Sequence, residues 1–226
     1  GLSLKWPYTP DVMYVVNKEA TPAVEKPEAE SKVSWDEDFD WSAVDGSAEK
    51  GAWIVNWTVY ANRQKGVADG EYYGAGKLGG APLNIVDTLP DGMSYVANSA
   101  KYTLVQNPYG QHTGLGRGSE ADTVVSDQKL AASSISSSGN TVTFSIPTTE
   151  LGDYAGYAKL TYKTAVKRSE LNVSANEATF TNSASAESGG KKFDSGSGTV
   201  TVKNNVIKKA GKQVGNSNRI KYTILV

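Results

Sequence analysis

Few side chains in this sequence can do chemistry near neutral pH. Among its 226 residues there is no cysteine, which excludes disulfides, thiolate metal sites and a cysteine nucleophile. The single histidine, His112, lies in the glycine-rich stretch NPYGQHTGLGRGSE. A loop histidine with no group to hold its ring reads as solvated, because general-base work needs that partner. Asp36, Asp38 and Asp40 in DEDFDWSAVD have the spacing that opens a calcium loop. Trp41, however, stands where that loop needs glycine at its sixth position, and Ser47 where it needs glutamate at its twelfth. The stretch reads as a solvated acidic loop, and no metal is expected. GEYYGAGKLGG resembles a phosphate loop only faintly, since Leu78 follows its lysine where serine or threonine is required. It reads as a long flexible hairpin loop. No cofactor is expected, and neither is an enzyme acting on an external substrate: no nucleophile is paired with a histidine base, and no second acid can be assigned for a glycosidase pair.

A different chemistry is raised by NEATFTNSASAESG, which alternates as a strand does and sets Asn182 among inward positions. A buried carboxamide is costly unless it is bonded to something, so the elements that hold it matter. WIVNWTVYAN (53–62) alternates Trp53, Val55, Trp57 and Val59 against Ile54, Asn56, Thr58 and Tyr60. Apolar groups thus fall on both faces of a period-two pattern, as in a strand inside a sandwich. LNIVDTL, AKYTLVQ, DTVVS, NTVTFSIP, YAKLTYKTAV, EATFTNSASAE and GTVTVKN follow, with turn residues such as PDGM and SSSGN between them. The pattern predicts an all-β sandwich. TTELGDYAG is expected to hold one helical turn capped by Thr148 or Thr149.

Residues 1–31, punctuated by Pro7, Pro10, Pro22 and Pro27, read as an extended leader in which DVMYVVN can pair as a strand. Residues 32–203 form the main domain. The tail, 204–226, has two apolar strands around a polar turn, and RIKYTILV is similar to AWIVNWTV. It reads as the start of a second, similar domain, with the last hairpin of a single domain as the alternative. The 23 basic residues nearly cancel the 24 acidic ones, which argues against nucleic acid as a partner. No apolar run approaches the roughly 20 residues of a membrane span, and no signal peptide is visible.

WIVNWTVYAN followed by LNIVDTLPDGMSYVANSAKY, with YAKLTYKTAV and NEATFTNSASAE at the far end, resembles the collagen-adhesin-type repeat domains of Gram-positive cell surfaces and pili. The resemblance covers about residues 32–203 and begins again at 206–226. It implies an immunoglobulin-like (Greek-key) sandwich in which a lysine and an asparagine on the first and last strands join as an isopeptide bond, promoted by a buried acid. Carried over, Asp87 is the acid and Asn182 the acceptor, while Tyr162, Lys163 and Thr164 match a common step of the closing strands. Burial lowers the pKa of an amine and raises that of a carboxyl. The amine can then attack while the acid polarises the amide and returns protons as ammonia leaves. Holding both reactants in one core supplies their proximity, and each molecule turns over once.

The lysine is less sharply marked. Lys32, in SKVSWDEDFDW, heads a plausible first strand and is preferred; Lys50, in SAEKGAW, reads as part of a turn and is the runner-up. In the tail Lys208 or Lys209 would serve the next domain, whose acid and asparagine would lie beyond Val226. Two plainer roles stay open: Asp87 can cap a turn, and Asn182 can hydrogen-bond to backbone across an edge. The resemblance implies an extracellular, wall-attached structural or adhesive module, a stalk or fimbrial subunit whose partners are its neighbouring domains. A second reading is a ligand-binding adhesin, with Tyr72, Tyr73 and Tyr109 in long loops stacking on host glycan or matrix protein.

Overall fold

The computed structural model describes residues 16–22, 33–65, 72–107, 122–171, 177–204, 208–213, 215 and 220–225. Its strands are, in chain order, β1 (Val16–Pro22), β2 (Ser34–Asp40), β3 (Lys50–Ala61), β4 (Arg63–Lys65), β5 (Tyr72–Gly74), β6 (Leu83–Thr88), β7 (Met93–Tyr95), β8 (Lys101–Asn107) and β9 (Thr123–Lys129). They continue as β10 (Ile135–Ser138), β11 (Thr141–Ile146), β12 (Ala155–Val166), β13 (Glu177–Ser188), β14 (Lys191–Lys192), β15 (Gly196–Lys203), β16 (Lys208–Gln213) and β17 (Ile220–Leu225). Among the described residues the only helical pieces are 3₁₀ turns, one of them at Thr149–Leu151 in the stretch expected to hold a helical turn. Thr148 does not cap that turn; its hydroxyl donates to the Ala81 carbonyl at 2.6 Å.

The doubly apolar pattern around Trp57 makes β3 a central strand. β12 pairs along one edge of it, from Ala158↔Ala61 to Val166↔Trp53. On the other edge β1 pairs with residues 55–61 and β2 with residues 50–54, so two short strands share one long neighbour. β8 and β9 extend this sheet beyond β12, and β7 pairs with the end of β12. The second sheet runs β10-β11-β6-β13, with β14 and β15 both paired to β13. The chain passes repeatedly from one sheet to the other, the Greek-key habit of an immunoglobulin-like sandwich. Between the sheets Val55, Trp57, Val59, Leu104 and Leu160 meet Leu83, Ile85, Phe144, Ile146 and Phe180 in one apolar core. The fold class expected from the strand pattern is the one observed.

Within the stretch read as an extended leader, where DVMYVVN is expected to be able to pair as a strand, Val16–Pro22 pairs along the edge of β3 as β1, and Val16 is only 3% exposed. One local expectation needs correction. The acids at 36–40 are not in a loop but on β2, because Trp35, Phe39 and Trp41 anchor that segment. Trp35 packs edge-on to Trp53 with ring centroids 4.8 Å apart, and the Trp41 indole N–H donates to the Gly51 carbonyl at 2.9 Å. Trp41, Ala52, Ile54 and Ala165 make a small second core on the outer face of the first sheet. Asp36 Oδ1 accepts the Asp38 N–H at 3.1 Å. Asp40 accepts the Ser42 N–H and pairs with Lys50, and these contacts, the lysine first, bring its pKa down to about 2. Asp45 pairs with Lys167.

The tail strands β16 and β17 pair with each other in a sheet of their own.

Candidate functional site

On β6 the inward positions are Leu83, Ile85 and Asp87, so strand alternation alone carries a carboxylate into the core. On β13 the inward set is Phe180, Asn182, Ala184 and Ala186. β6 and β13 are antiparallel neighbours with Asp87 opposite Ala184, which leaves Asp87 and Asn182 diagonal to one another. Neither has measurable exposure. From the facing sheet Tyr162, 2% exposed and opposite Trp57 in register, reaches across the core to meet them.

The three side chains form one hydrogen-bonded group. The Tyr162 hydroxyl donates to Asp87 Oδ2 at 2.6 Å. Asn182 Nδ2 donates to the same Oδ2 and to the Tyr162 oxygen, each at 3.3 Å. Phe144 packs against the phenol with ring centroids 4.9 Å apart. The other end of the amide, Asn182 Oδ1, has no hydrogen-bond partner among the described residues. Leaving a buried acceptor unmet costs about 1–3 kcal/mol, so the site is one donor short, and the lack falls on the carbonyl of the amide. Chemically this is an electrophile in an apolar core, with a proton-carrying group beside its nitrogen.

Burial, and after it the negative charge and hydrogen bond of Asp87, hold the Tyr162 phenol well above its ordinary pKa of 10.0. Tyr162 therefore stays a donor above the pH at which an ordinary tyrosine ionises. Above pH 10 the unfolded chain releases this proton while the folded one keeps it, so the unfolded state binds fewer protons and stability falls with rising pH. A spectroscopic titration should show one tyrosine that ionises only with unfolding. In Tyr162→Phe that tyrosine should be missing and the alkaline loss of stability shallower; an unchanged profile would mean that the phenol is not held in this way.

The sequence had marked Asp87 and Asn182, and the structure brings them together. Tyr162 had been noted only as part of a family match. Its inward alternation with Leu160 and Thr164 was the available sign that its hydroxyl would need a partner inside. Lys32 and Tyr109 lie outside the described residues. Lys50 is not at the site: it opens β3 with 61% of its side chain exposed, in the ion pair with Asp40. Lys208 is the first residue of β16, in register with Leu225.

Tyr72 and Tyr73 belong to β5, a short strand paired with β4, and not to a loose loop. The Arg63 guanidinium lies 3.2 Å from the Tyr60 ring centroid and 4.0 Å from that of Tyr72, so one face of Tyr72 is already covered. Asn62, buried and at φ 60°, fixes the hairpin by donating from Nδ2 to the carbonyls of Gly76 and Gly156, each at 2.7 Å. The Gly74 N–H donates to Asn107 Oδ1 at 2.6 Å, and a Cβ on Gly74 would strike the Gly156 backbone. Among the described residues no group of three or more acidic, histidine or cysteine side chains could hold a metal ion.

No protein-family model and no curated protein sequence matches the chain. Solved structures do. The collagen-binding domain of the Erysipelothrix rhusiopathiae surface protein RspB is 13% identical, over 66% of this chain and 43% of that one, with a TM-score of 0.36. The collagen-binding domain of a Staphylococcus aureus adhesin is 15% identical, over 87% and 100%, with a TM-score of 0.37. The full-length major pilin SpaD of Corynebacterium diphtheriae is 12% identical, over 92% and 39%, with a TM-score of 0.38. The chain spans less than half the length of the first and the last of these. Its structural likenesses are thus to collagen-binding adhesin domains and to pilins, the kinds of protein that the sequence resemblance names.

Proposed function

We propose that this chain is a structural module of a Gram-positive surface adhesin or pilus, locked by an intramolecular bond that it forms itself between a lysine and Asn182. The observation that carries the reading is the group Asp87–Tyr162–Asn182, buried between the sheets with the amide carbonyl unmet among the described residues. A lysine amine attacking Asn182 Cγ forms a C–N bond and breaks the bond from Cγ to Nδ2. The leaving nitrogen is the atom that sits 3.3 Å from Asp87 Oδ2, so a proton taken from the attacking amine can be returned to it directly, and ammonia departs. Tyr162 is a positioning residue: its short bond to Oδ2 holds the carboxyl in place. The apolar walls exclude water, which would otherwise compete for the amide carbon.

Such a bond resists both reduction and pulling, which suits a module carrying load between neighbouring domains on a cell surface. The tail hairpin fits the opening of the next domain in that row. No helix among the described residues is long and apolar enough to cross a membrane. In this reading the wall is reached through a region outside this chain. The ligand-binding reading draws less support, because Tyr72 already stacks on Arg63.

Denaturing electrophoresis tests the lock. The wild-type chain, still looped when unfolded, should migrate ahead of Asn182→Ala. Identical mobility of the two would count against the bond.

A further inference from the structure

We infer that the amine comes from Lys18, on β1, a residue that the sequence did not single out. The inference rests on the cross-link proposed above and adds its second partner. The described lysines outside β1, β4 and the tail hairpin are exposed or half-buried at outward or turn positions, as with Lys101, Lys159 and Lys163, and Lys50 and Lys167 are paired with acids. β1 differs. Its register sets Val16 opposite Ala61, Lys18 opposite Val59 and Ala20 opposite Trp57. Directly opposed residues of an antiparallel pair share a face, and Val16, Val59, Ala61 and Trp57 all belong to the core between the sheets. Position 18 is therefore on the core face of the first sheet. It is one inward step along β1 from the row formed by Ala20, Trp57 and Tyr162. β1 also lies against β13 and β15, and Asn182 stands on β13 opposite Gly198 of β15.

The tail supplies an independent observation. In the β16–β17 hairpin Gly211 is opposite the aromatic Tyr222 and Lys209 is opposite Ile224. In the main domain Ala20 is opposite the aromatic Trp57 and Lys18 is opposite Val59. A lysine two places before the partner of an aromatic thus occurs at the same register position in both pairs of strands. The geometry equates Lys18 with Lys209, and not with Lys208, whose partner is Leu225. The equivalence is hidden in the sequence because a long segment separates β1 from β3, whereas only a few residues separate β16 from β17.

The test is mass spectrometry of the full chain as wild type, Lys18→Arg and Lys32→Arg, with peptide mapping of the wild type. Expected are loss of one ammonia in the wild type and in Lys32→Arg, retention in Lys18→Arg, and a branched wild-type peptide joining Lys18 to Asn182. The branched peptide decides the matter even if Lys18→Arg does not fold. A branch through another lysine, or ammonia loss that survives Lys18→Arg, overturns the assignment while leaving the cross-link standing. A wild type that loses no ammonia overturns the cross-link itself, and the assignment with it.

Discussion

Asp87→Asn is expected to keep the ammonia that the proposed cross-link expels from the wild type, and to lower the unfolding free energy by about 5 kcal/mol. The substitution keeps the size of the side chain and an oxygen that can still accept from Tyr162, so packing changes little. What it removes is the group that, in the proposed reaction, carries protons between amine and leaving nitrogen. Without the bond, the unfolded chain regains the freedom of a loop of roughly 160 residues, worth about 5 kcal/mol in the chain-entropy account of cross-links. Set against the 5–15 kcal/mol that stabilises a typical domain, this would be the difference between a durable module and a marginal one. If the three side chains were only a hydrogen-bonded group, the same substitution should cost about 1–2 kcal/mol. Denaturant unfolding midpoints of the two proteins separate these cases.

Trp57→Ala should be the most damaging change away from the reacting groups, at about 3–5 kcal/mol for the lost ring. Trp57 is fully buried, and its indole N–H donates to Thr164 Oγ1 at 2.8 Å. It also stands between Ala20 and Tyr162 in the row next to Lys18, so its removal loosens the seat of the phenol as well as the core. A fall in stability should therefore come with incomplete loss of ammonia. Trp57→Phe, which keeps most of the volume but loses the donor, should cost about 1–2 kcal/mol and leave the cross-link complete. Calorimetry and intact mass on both variants check this pair of expectations; full cross-linking in a Trp57→Ala protein of near wild-type stability would contradict them.

The sandwich was legible because strand alternation is a short-range signal. LNIVDT and TFTNSA each write their inward residues at every second position, and the structure places Asp87 and Asn182 where that alternation requires. Tyr162 was harder to see, since its bond to Asp87 crosses from one sheet to the other over a sequence separation of 75 residues. The acidic stretch misled because its charges were counted and its aromatics were not: Trp35, Phe39 and Trp41 decide that Asp36–Asp40 is strand. Lys32 was preferred because it heads a plausible first strand. β1 and β2 share the edge of β3, so the strand adjoining Trp57 lies farther back in the chain than the tail suggests. Register, a property of paired strands, carried information that spacing along one chain could not.

The most direct test is the intact mass of the purified wild-type chain measured under denaturing conditions. The account predicts a mass lower than that of the sequence by one ammonia, in essentially all molecules. A mass equal to that of the sequence would contradict it, and would leave Asp87, Tyr162 and Asn182 as a buried hydrogen-bonded group and nothing more.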